Sequence, residues 1–227
     1  MKIAAIAYNT EDPSVHAMLQ YWLLQAKKHT VNDDLVVITD EASKKTTRWK
    51  NVVVAEPLED FRPLYRTQNI VRGEYYKAQA FRLLQEPVIA MDLDCIIQTP
   101  LEVWKDQAMR MTPHNPGTAS DFERIDGFKF RHMNMGLVYH GRDCFDAFKE
   151  IFEKVRVHPR YCDSYMIGEF AMSYLAGKEK WHALPQEYCW FANSKPVPEN
   201  VFVKHYGRDA RPELMKQILR HTQEKSK

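Results

Sequence analysis

No apolar run in this 227-residue sequence approaches the roughly 20 residues that a membrane-spanning helix needs. Glycine is scarce, with eight in all. None falls between Tyr8 and Ser14, and that stretch carries no positive charge either, so a Gly-rich, basic phosphate loop after the first strand is excluded. The four cysteines, Cys95, Cys144, Cys162 and Cys189, contain no C-x-x-C pair. That argues against a zinc ribbon and fits reduced thiols, although spacing leaves disulfides open. Charge of one sign is also missing: the net charge is +2, with a pI near 8.2, which neither demands nor excludes a polyanionic partner. Internal repeats and low-complexity tracts are absent. The opening Met1 to Ala7 is too short for a signal peptide and reads as a buried strand, so a cytoplasmic location is expected.

What is present describes a folded chain. With 44% hydrophobic and 27% charged residues, disorder is not the default, and 227 residues fit one large domain with a real core. Leu35–Ile38 and Val52–Val54 read as buried strands after the first. Between strands one and two, Val15, Met18, Leu19, Trp22, Leu23 and Ala26 keep helical spacing, with Ser14 as the expected cap. Strand, helix, strand, strand opens an α/β sheet. Further on, Tyr76, Ala80, Phe81 and Leu84 form the buried face of one helix, and Thr99-Pro100 starts a turn or helix through Leu101 and Trp104. Residues 107–112 read as a strand, and Pro113 to Arg131 as a long loop with strand fragments. The strand Met133–Tyr139 is followed by one helix capped by Asp143. A second helix starts at Asp163-Ser164 and stops at Gly177. An aromatic-rich loop after Leu184-Pro185, a last strand Val201–Lys204 and a basic C-terminal helix from about Pro212 complete the chain.

One stretch carries chemistry. Val88-Ile89-Ala90-Met91 is a buried strand that runs directly into Asp92-Leu93-Asp94. Alternate side chains of an extended chain face one side, so Asp92 and Asp94 share a space at a strand end. Open α/β sheets keep their ligands at such ends. Two hard carboxylates suit Mg²⁺ or Mn²⁺, and an ion held there grips a diphosphate and stabilises charge on a leaving phosphate. An acidic pair at a strand end also serves turns and helix caps, so the motif needs context.

The context is an ordered set of landmarks. Tyr76-Lys77 precedes the strand; Met91-Asp92-Leu93-Asp94-Cys95-Ile96-Ile97-Gln98-Thr99-Pro100-Leu101 forms it; Asn134-Met135-Gly136 follows. Asp163 opens a helix, Leu184-Pro185 precedes Tyr188, and His205-Tyr206 leads to Arg211-Pro212. In this order they resemble the metal-dependent nucleotide-sugar glycosyltransferases of the GT-A fold, closest to the glycogenin-like family eight. The resemblance implies a single GT-A-like domain over residues 1–227, with a mostly parallel central sheet flanked by helices and a smaller second sheet segment. Residues 1–100 would be its nucleotide-binding half and 101–227 its acceptor and sugar-binding half.

It further implies that Asp92, Asp94 and His205 bind Mn²⁺ (or Mg²⁺), with Asp92 also near the sugar or ribose. Lys77 and Arg211 would neutralise the diphosphate, Tyr8, Asn9 and Thr10 would line the nucleotide, and Asn134 and Asp163 would contact the transferred sugar. The implied activity is transfer of a hexose-type sugar from a UDP-sugar to an acceptor hydroxyl, with retention. The chain departs from the family in placing Gly207 two residues after His205, in Arg211 for lysine, in Glu213 for tryptophan and in Ser164 for glutamine.

A haloacid-type phosphatase would place its D-x-D near the domain start and continue it into threonine, whereas Cys95 and Ile96 follow here. A nucleotidyltransferase would need the missing basic Gly-rich loop. A non-catalytic scaffold that binds a nucleotide sugar or glycan is the alternative from another class, since fold does not guarantee activity. The expected acceptor is a glycan or another hydroxyl-bearing molecule. The clusters Arg62, Arg66, Arg72 and Lys129, Arg131, His132 also admit a nucleic acid, ranked lower because the net charge is small.

Overall fold

The computed structural model describes residues 1–58, 68–113, 122–161, 164, 166–195, 198–207 and 209–224. Four apolar runs form parallel strands: β1 (Lys2–Ile6), β2 (Leu35–Thr39), β3 (Val52–Val54) and β4 (Val88–Asp92). Their near-continuous apolar character is what a sheet covered on both faces requires. Three strands extend the sheet past β4: β9 (Met133–His140), β6 (Met109–Pro113) and β10 (His182–Ala183). The order is β10-β6-β9-β4-β1-β2-β3, with β9 antiparallel to both its neighbours. The result is a mixed α/β structure with a large, mostly parallel sheet flanked by helices and smaller sheets beside it.

The topology places a crevice. The chain leaves β1 for β2 and β3 on one side and returns to β4 on the other, so the strand order reverses between β1 and β4. At their carboxyl ends Ile6 stands level with Asp92, and connections diverging to opposite faces leave room there for a ligand.

Alternation within the strands divides the core. Ala4, Ile6, Val36, Ile38, Val88 and Ala90 pack under α3 (Gln68–Ala78), α5 (Phe145–Val157) and α6 (Ile167–Lys178). Ile3, Ala5, Val37, Ile89 and Met91 pack under α1 (Pro13–Ala26) and α7 (Arg211–Glu224). The second face also receives a three-stranded sheet, β11-β12-β5, built from Trp190–Phe191, Val203–His205 and Cys95–Ile97.

Several expectations are corrected. Asp12, not Ser14, caps α1, because its side chain accepts the Ser14 N–H at 2.7 Å while Pro13 occupies the first turn, where no N–H is needed. The single helix expected around Tyr76 to Leu84 is two, α3 and α4 (Ala80–Leu84). They separate at Gln79, whose amide is pinned to the backbone N–H and C=O of Glu56 at 2.8 and 3.1 Å. No helix forms at Leu101–Trp104; Trp104 instead packs edge-on against Tyr139 at 5.1 Å. The strand fragments expected within Pro113 to Arg131 are present and pair as a hairpin, β7 (Phe122–Ile125) and β8 (Phe128–Arg131). Its Asp126-Gly127 turn has positive φ at both residues, as two-residue hairpins favour.

Gly177 lies inside α6 and does not stop it. A Cβ there would meet that of Phe130 at 3.0 Å, so its small size serves helix–hairpin packing. The remaining short helix, α2 (Glu41–Lys44), is capped by Asp40. Among the described residues, no helix is long and apolar enough to cross a membrane.

Candidate metal centre

Asp92 ends β4, and Leu93-Asp94 turn the chain into β5. The turn is tied down by the second sheet: the Tyr206 N–H donates to the Asp94 carbonyl at 2.7 Å, and Cys95 stands opposite His205 where β5 and β12 pair antiparallel. A sequence separation of over a hundred residues is thus closed by one strand pair. His205 Nε2 lies 3.5 Å from Asp94 Oδ1. Donor atoms of Asp92, Asp94, Cys95 and His205 all fall within 4.8 Å of one another.

Two cations complete the centre. Lys77, on α3, is fully buried and places Nζ 2.6 Å from Asp92 Oδ1, with a further hydrogen bond to the Met135 carbonyl. That carbonyl is available because β9 pairs with β4 only from Leu137 onward. The Met135 N–H is likewise taken by a side chain, donating to Glu169 at 3.1 Å. Arg211, at the start of α7, donates from Nη2 to Asp94 Oδ2 at 2.7 Å while half its side chain stays exposed.

The electrostatics separate the two carboxylates. Burial raises the pKa of Asp92 and outweighs the pull of Lys77, and Asp94 adds to the rise. Asp94 is also buried, but His205 and Arg211 overcome that and hold it well below the usual carboxylate range. Burial opposes protonation of His205, yet Cys95, Asp94 and Asp92 together push its pKa up to about 10. Burial likewise works against the charge on Lys77, and Asp92 more than restores it. Two acids one residue apart are thereby driven in opposite directions.

The predicted nucleotide residues divide. Tyr8 follows β1 at the crevice; burial and then Asp92 and Asp94 push its phenol well up, so it stays protonated beside the carboxylates. Asn9 holds a left-handed backbone, φ 53°, which turns the chain away from the sheet. Thr10 is buried and structural, its hydroxyl donating to the Ser43 carbonyl at 2.9 Å and lying 2.6 Å from Thr46 Oγ1. Arg72 lies 3.8 Å from Asp40, whereas Arg62 and Arg66 fall outside the described residues. So does Asp163.

Asn134 is buried and turned inward. Its Oδ1 accepts the Gly136 N–H at 2.7 Å, and its Nδ2 lies 3.4 Å from His205 Nδ1 and 3.6 Å from Cys189 Sγ.

Sequence reasoning missed two groups. One is the thiol pair, Cys95 and Cys189, both buried and within reach of His205. The other lies behind Lys77: Glu74, one helical turn earlier, is buried, and burial reinforced by Glu169 raises its pKa well above the usual carboxylate range. Glu169 in turn holds His132 at 2.8 Å. Spacing carried a signal for Glu74, since positions 74 and 77 share a helix face.

Asp92, Asp94 and His205 fit a hard divalent cation. They supply two carboxylates and an imidazole in mutual reach, and 36% of the Asp92 side chain is open to solvent. A scan of protein-family models and a search of curated proteins return no match to this sequence.

Proposed function

We propose that this chain is a GT-A-type glycosyltransferase. It would move a hexose-type sugar from a nucleoside diphosphate sugar, with uridine as the base, to an acceptor hydroxyl with retention. One observation carries the reading: Asp92, Asp94 and His205 converge with Lys77 and Arg211 at the edge where strand order reverses. Carboxylates for a cation and cations for a diphosphate, at that edge, are the parts this reaction needs. Mn²⁺ suits the mixed oxygen and nitrogen donors, and Mg²⁺ is the harder substitute. When bound, the ion supplies positive charge against the departing diphosphate.

The chain's own residues do the rest. Lys77, held by the Met135 carbonyl, is a fixed positive charge. Arg211 is half exposed and can turn from Asp94 to a phosphate oxygen. Tyr8 offers a protonated phenol beside the carboxylates. Asn134 keeps the His205 ring in place.

One observation favours the rival scaffold: Lys77 and Arg211 already neutralise both carboxylates, as a purely structural ion-pair network would. Calorimetric titration with UDP, with and without Mn²⁺, separates a metal–nucleotide site from a purely structural ion-pair network. Metal-dependent binding that Asp94→Asn abolishes, in a variant with wild-type circular dichroism, supports the transferase site. Metal-independent binding, or binding unchanged in Asp94→Asn, sinks it. Release of free sugar from UDP-sugars under Mn²⁺ then separates an enzyme from a silent scaffold.

A further inference from the structure

His205 faces two different donor sets. Nε2 points at the Asp94 carboxylate at 3.5 Å, while Nδ1 points into a pocket made by Cys95, Cys189, Asn134 and Gly136. Gly136 keeps that pocket open: a Cβ there would stand 2.8 Å from His205 Nδ1 and 2.9 Å from Cys95 Sγ. The sulfur atoms of Cys95 and Cys189 and a ring nitrogen of His205 all lie within 4.8 Å of one another. A tetrahedral zinc ion, with bonds of about 2.3 Å to sulfur and about 2.0 Å to nitrogen, needs ligand atoms roughly 3.5–3.8 Å apart. Small side-chain adjustments therefore bring this trio into coordination.

The hydrogen bonds favour that use of the ring. Asn134 Oδ1 is committed to the Gly136 N–H, which turns its NH₂ toward His205 Nδ1 and Cys189 Sγ. In the neutral ring that ligation requires, an amide donor opposite Nδ1 leaves the lone pair on Nδ1 and the proton on Nε2, facing Asp94. A carboxylate that holds the far N–H of a histidine whose other nitrogen is free to ligate is the usual outer partner of a zinc-bound imidazole. The same amide donates toward the Cys189 sulfur and so supports a thiolate.

From this geometry we infer that Cys95, Cys189 and His205 form a second cation site, which takes a thiophilic divalent ion such as Zn²⁺. Binding replaces two S–H bonds with two metal–thiolate bonds and the Nδ1–H bond of the His205 imidazolium with a metal–nitrogen bond, so three protons pass to solvent with no change of oxidation state. Three protein ligands leave one tetrahedral position open. The site stands on its own contacts; only its relation to the Asp92–Asp94 ion rests on the function proposed above. That relation is competition, because one imidazole cannot serve both sides with the same proton arrangement. A thiophilic ion is therefore expected to suppress Mn²⁺-dependent UDP binding.

Co²⁺ is the probe. Added to the reduced full chain, it should produce a near-ultraviolet thiolate-to-cobalt absorption that stoichiometric Zn²⁺ abolishes. The band should disappear in Cys189→Ser, persist in Asp92→Asn, and persist in Cys144→Ser/Cys162→Ser, where Cys95 and Cys189 are the remaining thiols. That last chain keeps the test decisive if Cys189→Ser fails to fold. No band in the wild-type chain, a band surviving in folded Cys189→Ser, or a band lost in folded Cys144→Ser/Cys162→Ser overturns the inference. Failure of the glycosyltransferase reading is distinguishable, since it leaves the cobalt band in place while UDP binding is absent.

Discussion

On the proposed reading Arg211 would compete with a metal ion for Asp94, and removing it should shift two affinities in opposite directions. Its guanidinium lies 2.7 Å from Asp94 Oδ2, with half of its own side chain exposed and only 8% of that of Asp94. A hydrogen bond between charged groups contributes about 1.5–3 kcal/mol when shielded, and an exposed pair about 0–1 kcal/mol. This half-open pair falls between, at about 1–2 kcal/mol. An ion ligated by Asp94 must displace Arg211 and lose that energy. In Arg211→Gln, Mn²⁺ alone should therefore bind about 5–30-fold tighter, at about 1.4 kcal/mol per factor of ten. At saturating Mn²⁺, UDP should bind more weakly by a similar factor, because the cation that turned to its diphosphate is gone. Paramagnetic resonance of free Mn²⁺ measures the first affinity and calorimetry the second. Arg82→Gln is the control: it removes a bidentate pair with Asp146, at 2.9 and 2.8 Å, remote from the centre. Weaker or unchanged Mn²⁺ binding in Arg211→Gln would refute Asp94 as a ligand, and unchanged UDP binding would refute the diphosphate role.

Two further perturbations separate folding from function. Gly136→Ala puts a methyl group against His205 and Cys95, so it should cost about 1–3 kcal/mol in urea unfolding and also weaken Mn²⁺ binding. Gly141→Ala meets the Ala108 carbonyl at 2.2 Å, backbone that cannot yield as a side chain does; it should destabilise more, while the folded fraction binds Mn²⁺ normally. Equal metal affinity in both folded variants would contradict the placement of Gly136. The pH dependence of stability should carry a signature of His140, whose pKa burial, reinforced by Lys77, lowers to about 3. The unfolded chain takes up that proton near 6.5 and the native one near 3, so stability is fully present above about pH 6.5 and falls as pH drops toward 3. At about 1.4 kcal/mol per pH unit the loss approaches 4–5 kcal/mol. Urea midpoints of His140→Gln should fall less steeply over that range, and an unaltered acid limb would show that His140 is not the titrating group.

The strands were legible because a sheet covered on both faces demands continuous apolar runs, and Leu35–Ile38 and Val88–Met91 are such runs. The same logic places Asp92 and Asp94 at a strand end from the sequence pattern alone. Lys77 was legible as a residue of the preceding helix, but its depth was not. A fully buried lysine depends on the unpaired Met135 carbonyl, which exists because β9 departs from β4 at Leu137. Cys95 and Cys189 stayed hidden for a related reason. Strands β5, β11 and β12 have three, two and three residues, too short for a period to register, yet they bring the thiols to His205. Local competition explains the smaller misses. Asp12 outbids Ser14 as cap because Pro13 is the better first helical residue, and Gln79 breaks a helix to satisfy the backbone of Glu56.

The balance of charge in the centre bears on how ligands would enter it. Asp92 and Asp94 carry two negative charges at a largely buried edge, which is costly unless each is paired. Lys77 pairs Asp92, and Arg211 with the His205 imidazolium pairs Asp94; the imidazolium gives up its proton when it ligates an ion, which leaves two carboxylates against two fixed cations. A divalent cation arriving alone leaves an excess of two positive charges, and a diphosphate arriving alone faces two carboxylates. Together they cancel. Metal and nucleotide are therefore expected to bind as a coupled pair, each tightening the other by the same factor, with coupling of about 1–3 kcal/mol as the common range. The two cations differ in what they contribute. Lys77 is fully buried and anchored to the Met135 carbonyl, so it stays with Asp92 and sets the potential of the site. Arg211 stands half exposed at the first turn of α7, and in the proposed transferase its release from Asp94 would free a ligand for the metal and a cation for the phosphate in a single movement.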